Sequence, residues 1–148
     1  MKRSYAFPSI LLVLGFIYFS YYSLMPRSGT AASIPETEFS TERALIPLRE
    51  ISKAPHYHGS EEHERVRSFL KDELTDLGME TEIQEGFVLN SENRSLNKPK
   101  NIVSRLKGSG NGKALLLLSH YDSSPVPSFG ASDAGSGIVT ILESLRAF

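Results

Sequence analysis

Residues 114–119, Ala-Leu-Leu-Leu-Leu-Ser, form an unbroken apolar run between a Gly-rich turn (109–113) and a polar loop. The run is too short for an independent helix and has no polar face. It therefore reads as an inner strand, covered on both sides. Such a strand needs further strands beside it and helices over it, which sets the class as α/β. The flanking pattern agrees. In "STERALIPLREISKA", Ala44, Leu45, Leu48 and Ile51 suit a short helix that Pro47 starts or bends. Ser60 is a good N-cap, and Glu61, Glu62 and Glu64 complement the dipole of the helix that follows. Val66, Phe69, Leu70, Leu74 and Leu77 fall on one face of it, and Gly78 stops it. Residues 79–90 and 101–108 have strand character, joined by a polar connection at 91–100. A last amphipathic helix starts near Ser136, with Ile138, Ile141, Leu142 and Leu145 on one side and Glu143 and Arg146 on the other.

The N-terminus carries a different signal. No charge occurs from Ala6 to Met25, and roughly 20 apolar residues span a bilayer as a helix. Tyr18, Tyr21 and Tyr22 gather at the far end, as interfacial aromatics do, and Lys2 and Arg3 place the N-terminus inside with the rest exported. The alternative is a cleaved secretory signal, with "SGTAAS" (28–33) as the cleavage region. The expected organisation is a membrane anchor at 1–25, a linker rich in Pro, Ser, Thr and Gly at 26–40, and a globular part at 41–148. The lipid bilayer is thus one expected partner. Nucleic acid is not, because a net charge of -1 offers no basic field. The chain has no cysteine, which excludes disulfides, thiolate metal sites and a Cys nucleophile.

Open α/β sheets place their chemistry beyond the carboxyl ends of the strands. His120 is the first residue past Ser119, and in extended chain His120 and Asp122 project to the same side. A metal-binding histidine commonly donates its other ring N–H to a carboxylate, which His-x-Asp at a strand end allows. Asp133 follows in "GASDAGSG", where small residues permit a tight turn and close approach to a ligand. A carboxylate there can bridge two divalent cations. Taken singly, each residue has a plainer role: a hydrogen-bonded structural histidine, or an aspartate capping the next helix. The combination of buried run, His-x-Asp, Gly-Ala-x-Asp and amphipathic helix is more specific. His56, His58 and His63 in "HYHGSEEH" read as a solvated loop and helix start. Asn93-Arg94-Ser95 matches a short, common glycosylation acceptor.

The stretch "SHYDSSPVPSFGASDAGSGIVTILESLR" resembles the di-zinc aminopeptidase family that includes the bacterial leucyl aminopeptidases. It is most similar to the branch holding the endoplasmic-reticulum metallopeptidase and the vacuolar membrane protease. The resemblance runs through "HGSEEHERVRSFLKDELTDLGMETEIQE" and "NIVSRLKGSGNGKALLLLSHYDS", covering about residues 41–148. It implies a three-layer αβα sandwich of the zinc-peptidase type, present as its N-terminal part, and peptide substrates. It also implies two zinc ions, with His120 a terminal ligand, Asp133 the bridging carboxylate and Asp122 the carboxylate that orients His120. Ala134 stands where members often have Asp or Asn. The family's Glu-Glu pair, later acidic ligand and later His have no counterpart after Asp133, and Glu61-Glu62 precedes the loop. A transferrin-receptor-like branch keeps this fold without zinc chemistry, but retention of His120, Asp122 and Asp133 together counts against that reading. A glutaminyl cyclase relative or a carboxypeptidase is a further alternative.

Overall fold

The structure, a computed structural model, describes residues 6–25, 28–110 and 112–148. Lys2 and Arg3, which carry the expected sidedness of the N-terminal segment, lie outside the described residues, as do Pro26, Arg27 and Asn111. Helix α1 (Ala6–Leu24) is apolar on every side and none of its residues is buried. With 19 residues and a mean hydropathy of 1.6, it is long and apolar enough to cross a bilayer.

The segment 28–40 has no regular structure, yet it is tied to the body of the molecule. Thr30 exchanges hydrogen bonds with Thr41: the Thr30 N–H donates to Thr41 Oγ1 at 3.2 Å, and the Thr41 N–H to Thr30 Oγ1 at 2.9 Å. Arg43 reaches back over the same segment. Its guanidinium donates to the carbonyls of Ala32, Ile34, Pro35 and Glu38, and its Nε donates to Glu143 at 3.0 Å.

Helix α2 (Thr41–Ile51) starts at Ser40, whose hydroxyl accepts from the Arg43 N–H, and it contains Pro47. Helix α3 (Glu61–Asp76) starts as its sequence dictates: Ser60 Oγ accepts from the His63 N–H, and three glutamates fill the first turn. Gly78, at φ +79, takes the left-handed conformation that ends it. Arg65 ties the two helices together through Glu50 and Glu62. Four strands follow: β1 (Glu80–Glu85), β2 (Val88–Asn90), β3 (Ser95–Asn97) and β4 (Lys100–Arg105). β1 and β4 pair antiparallel, with Ile83 opposite Ile102, and the Thr81 and Ser104 hydroxyls lie 2.7 Å apart across the ladder. β2 and β3 form a separate short ribbon, so the expected polar connection contains a strand. Helix α4 (Ser136–Ala147) closes the chain.

The core is small. Ala44, Ile51, Val66, Leu70, Val139 and Leu142 are buried, and Leu48, Phe69, Ile102, Tyr121 and Ile138 pack around them. α2 lies against α4, and α3 against the β1–β4 ribbon. Each fully buried Ile or Val contributes about 1.5–3 kcal/mol by leaving water.

The architecture is mixed helix and sheet, but two expectations are corrected. The run 114–119 is not a paired strand. Among the described residues it bonds to no neighbour, and Leu115, Leu116 and Leu118 stand 85%, 73% and 80% exposed. An inner strand is defined by its neighbours, and without a ladder on either edge an apolar run gains nothing from extended pairing. Glu143 is the second correction. It points inward, where it accepts from the Ser40 N–H at 2.8 Å and from Arg43 and Arg146. Three donors make its burial tolerable.

Candidate functional site

The exposed leucine run delivers His120 to the head of a long loop. His120 Nδ1 lies 3.1 Å from the Asp122 carbonyl oxygen and 3.2 Å from Asp122 Oδ1. Its other nitrogen, Nε2, lies 3.0 Å from Asp133 Oδ1. One imidazole therefore has a carboxylate at each of its nitrogens. Asp133 sits in a wide turn, Ala131–Gly135, with non-helical φ -122 and ψ 97, and its peptide bond to Ala134 is cis. The turn is closed by the Gly135 N–H donating to the Gly130 carbonyl at 2.8 Å. Gly135 fits because it has no side chain: a Cβ there would stand 2.8 Å from the Gly130 oxygen and from Leu48 Cδ1. α4 begins without a side-chain cap, so Asp133 is not its N-cap.

Partial burial pulls the His120 pKa down, but its hydrogen bonds to the Asp122 carbonyl and the Asp133 carboxylate, with the charges of both aspartates, outweigh it. The net direction is upward. The pair thus favours a positive charge between its members. The side chains are open to solvent, Asp133 most of all at 81%.

These residues are of the types that zinc takes as ligands. The Nε2–Oδ1 separation of 3.0 Å is that of a hydrogen bond, shorter than the roughly 3.3–3.6 Å between two ligand atoms on one tetrahedral zinc. Asp122 stands where a carboxylate fixes the tautomer of a ligating histidine. The set is incomplete, because among the described residues no three His, Cys, Asp or Glu side chains converge on a point.

The loop is held from behind by residues whose roles the sequence pattern does not reveal. His56 and His63 are buried, at 1% and 4% exposed, which corrects the reading of "HYHGSEEH" as solvated. The Tyr121 ring stacks on His63, with centroids 4.6 Å apart and planes 6° from parallel. The Tyr121 hydroxyl donates to the Lys100 carbonyl at 2.6 Å, fastening the loop to β4. Burial, helped by His58, pushes the His63 pKa down and so favours the neutral form of the stacked ring. Ser123, also buried, accepts from the His56 N–H at 2.9 Å, and its own N–H donates to the His56 carbonyl at 3.2 Å. His56 lies in a connection with no periodicity to mark it, whereas His63 shares the buried face of α3 with Val66 and Leu70.

Residues 101–148 match the model of Peptidase family M28, so the matched segment contains the whole loop. A vacuolar membrane protease of Candida albicans is 32% identical over 71% of this chain, and the chain spans 13% of that relative's length. One of Yarrowia lipolytica is 29% identical over 91% of the chain and 16% of the relative. Among solved structures, Porphyromonas gingivalis glutaminyl cyclase superposes with a TM-score of 0.66 at 25% identity, over 74% of this chain and 39% of that one. Macrostomum lignano glutaminyl cyclase gives 0.62 at 22% identity, over 83% and 39%, a likeness of fold alone. A family match that contains the His120–Asp133 loop, relatives similar over most of this chain, and a shared fold lead to one conclusion: the chain belongs to peptidase family M28, of whose domain it holds a part.

Proposed function

We propose that this chain is the N-terminal part of a membrane-anchored zinc peptidase of the aminopeptidase type, acting on N-terminal peptide bonds. The observation that carries it is the His120 Nε2–Asp133 Oδ1 approach of 3.0 Å, with Asp122 behind Nδ1, inside the segment that matches the family. His120 and Asp133 would be zinc ligands, with Asp133 supplying a carboxylate able to serve two ions. Asp122 would hold the Nδ1 proton and so leave the Nε2 lone pair for an ion in place of the hydrogen bond to Asp133. Bound zinc supplies an acidified water and a Lewis acid for the scissile carbonyl. The remaining ligands and the general base belong to the rest of the domain, a three-layer αβα sandwich. The bilayer is engaged by α1, with residues from Ser28 onward on the exported side. The name of the fungal relatives supports a membrane location, and a cleaved signal at 28–33 is the alternative.

The superposition on glutaminyl cyclases favours one rival, a site that cyclises N-terminal glutamine instead of hydrolysing a peptide bond. The deciding experiment uses the full-length protein loaded with zinc. It compares hydrolysis of aminoacyl anilides with cyclisation of glutaminyl peptides. Hydrolysis is expected; cyclisation alone overturns the peptidase reading. Asp133→Ala is expected to remove zinc and activity together. Asp122→Asn should keep most of the zinc while slowing turnover roughly 10–100-fold. Full zinc and full activity in Asp133→Ala would mean that this loop is not the metal site.

A further inference from the structure

The loop that carries the candidate ligands has two branches. One runs from His120 to Ser123, and the other from Gly130 through Asp133 to Gly135. They meet on His56. Its backbone exchanges two hydrogen bonds with Ser123, at 2.9 Å to the hydroxyl and 3.2 Å from the N–H. Its ring lies against Gly130: a Cβ at that glycine would stand 2.9 Å from His56 Cε1 and 3.1 Å from Nε2. The same Cβ would meet Ser123 Cβ at 3.0 Å, so the three residues interlock. Gly130 has φ +62, and its carbonyl accepts the bond that closes the Asp133 turn. The ring itself is fixed, since Nδ1 lies 3.0 Å from the Ala54 carbonyl and the side chain is fully buried.

We propose that His56, with Ser123 and Gly130, positions the two branches of the loop and so sets the separation at which His120 and Asp133 meet one ion. His56 touches neither candidate ligand. It acts through Ser123, three residues from His120, and through Gly130, three residues from Asp133. The inference rests on the metal reading above and adds a residue to it. The geometry also explains a buried histidine in a connection between helices, where a loop of ordinary purpose has no need of one.

The test is zinc affinity of the full-length protein, measured at 25 °C by competition with a chromophoric chelator, beside thermal unfolding of the metal-free form. His56→Ala and Ser123→Ala are each expected to weaken zinc binding roughly 10–100-fold, the range found for residues that orient ligands. His56→Asn keeps a donor near the Ala54 carbonyl but falls short of Gly130, so it should behave like His56→Ala. His56→Phe restores a ring against Gly130 and should recover most of the affinity. A purely structural role would lower the unfolding temperature of these variants and leave the affinity of the folded protein unchanged; that result overturns the proposal. If His56→Ala does not fold, Ser123→Ala decides by the same measurement. A wild-type protein that takes up no zinc overturns the metal reading itself, which separates the two failures.

Discussion

Arg43 shows how much one side chain can organise. A guanidinium has five N–H donors in a fixed fork. Here all five are used, four on backbone carbonyls of 32–38 and one on the buried Glu143. Lysine keeps the charge but cannot reproduce the fork. Arg43→Lys is therefore expected to destabilise the fold by roughly 2 kcal/mol, read from urea titration, with faster proteolysis within 28–40. Unchanged urea midpoint and cleavage rate would show the fork to be dispensable. Glu143, its partner, has a pH signature. Burial raises its pKa, but bonds from Arg146, Ser40 and Arg43 outweigh this and hold the carboxyl at about 2. The folded value lies below the ordinary one, so the stabilisation is complete above the usual carboxylate range. It is lost as pH falls from about 4.5 toward about 2. The contribution at neutral pH is at most about 3 kcal/mol. Glu143→Gln should thus be less stable than wild type at pH 7, with the gap narrowing as pH falls from about 4.5 toward about 2; a gap independent of pH would contradict the assignment.

At the level of elements, what was legible in the sequence is what local chemistry decides. Ser60 and Gly78 bound α3 because an N-cap and a left-handed stop act within a few residues. β1 and β4 follow from composition, and the β2–β3 ribbon was missed because Ser95-Leu96-Asn97 has too few strand-forming residues to stand out. Glu143 was misplaced because its partners Ser40 and Arg43 lie about a hundred residues away, beyond any periodicity. His120, Asp122 and Asp133 were legible as a motif, whereas His56 and Ser123 were not, since loop burial has no repeating pattern. The leucine run was misjudged for a related reason: its apolar character was plain, but pairing is a property of neighbours. Its exposure predicts self-association through it. Residues 28–148 expressed alone should scatter light at micromolar concentration, and Leu116→Lys with Leu118→Lys should suppress that. Unchanged scattering in the double variant would assign the self-association to another surface.

On the scale of the whole molecule, α1 stands apart from the core that the remaining elements build. Flotation with phospholipid vesicles tests its role: the full-length protein is expected to float, and a form lacking residues 1–25 is expected to stay at the bottom. Flotation of both forms would assign membrane binding to another surface. A reporter fused after Ser28 should read as exported, and a cytoplasmic reading would reverse the topology. The bonds that tie Thr30 to Thr41 have a consequence for reach. Only residues 25–29 separate the end of α1 from the first fastened residue. Fully extended, the six chain steps from Leu24 to Thr30 span no more than about 22 Å. With α1 in a bilayer, the domain cannot drift into the surrounding volume and patrols only a shallow layer along the surface. On the proposed peptidase reading, a soluble peptide would meet the site only by entering that layer, whereas the chain ends of other membrane proteins are held within it from the start.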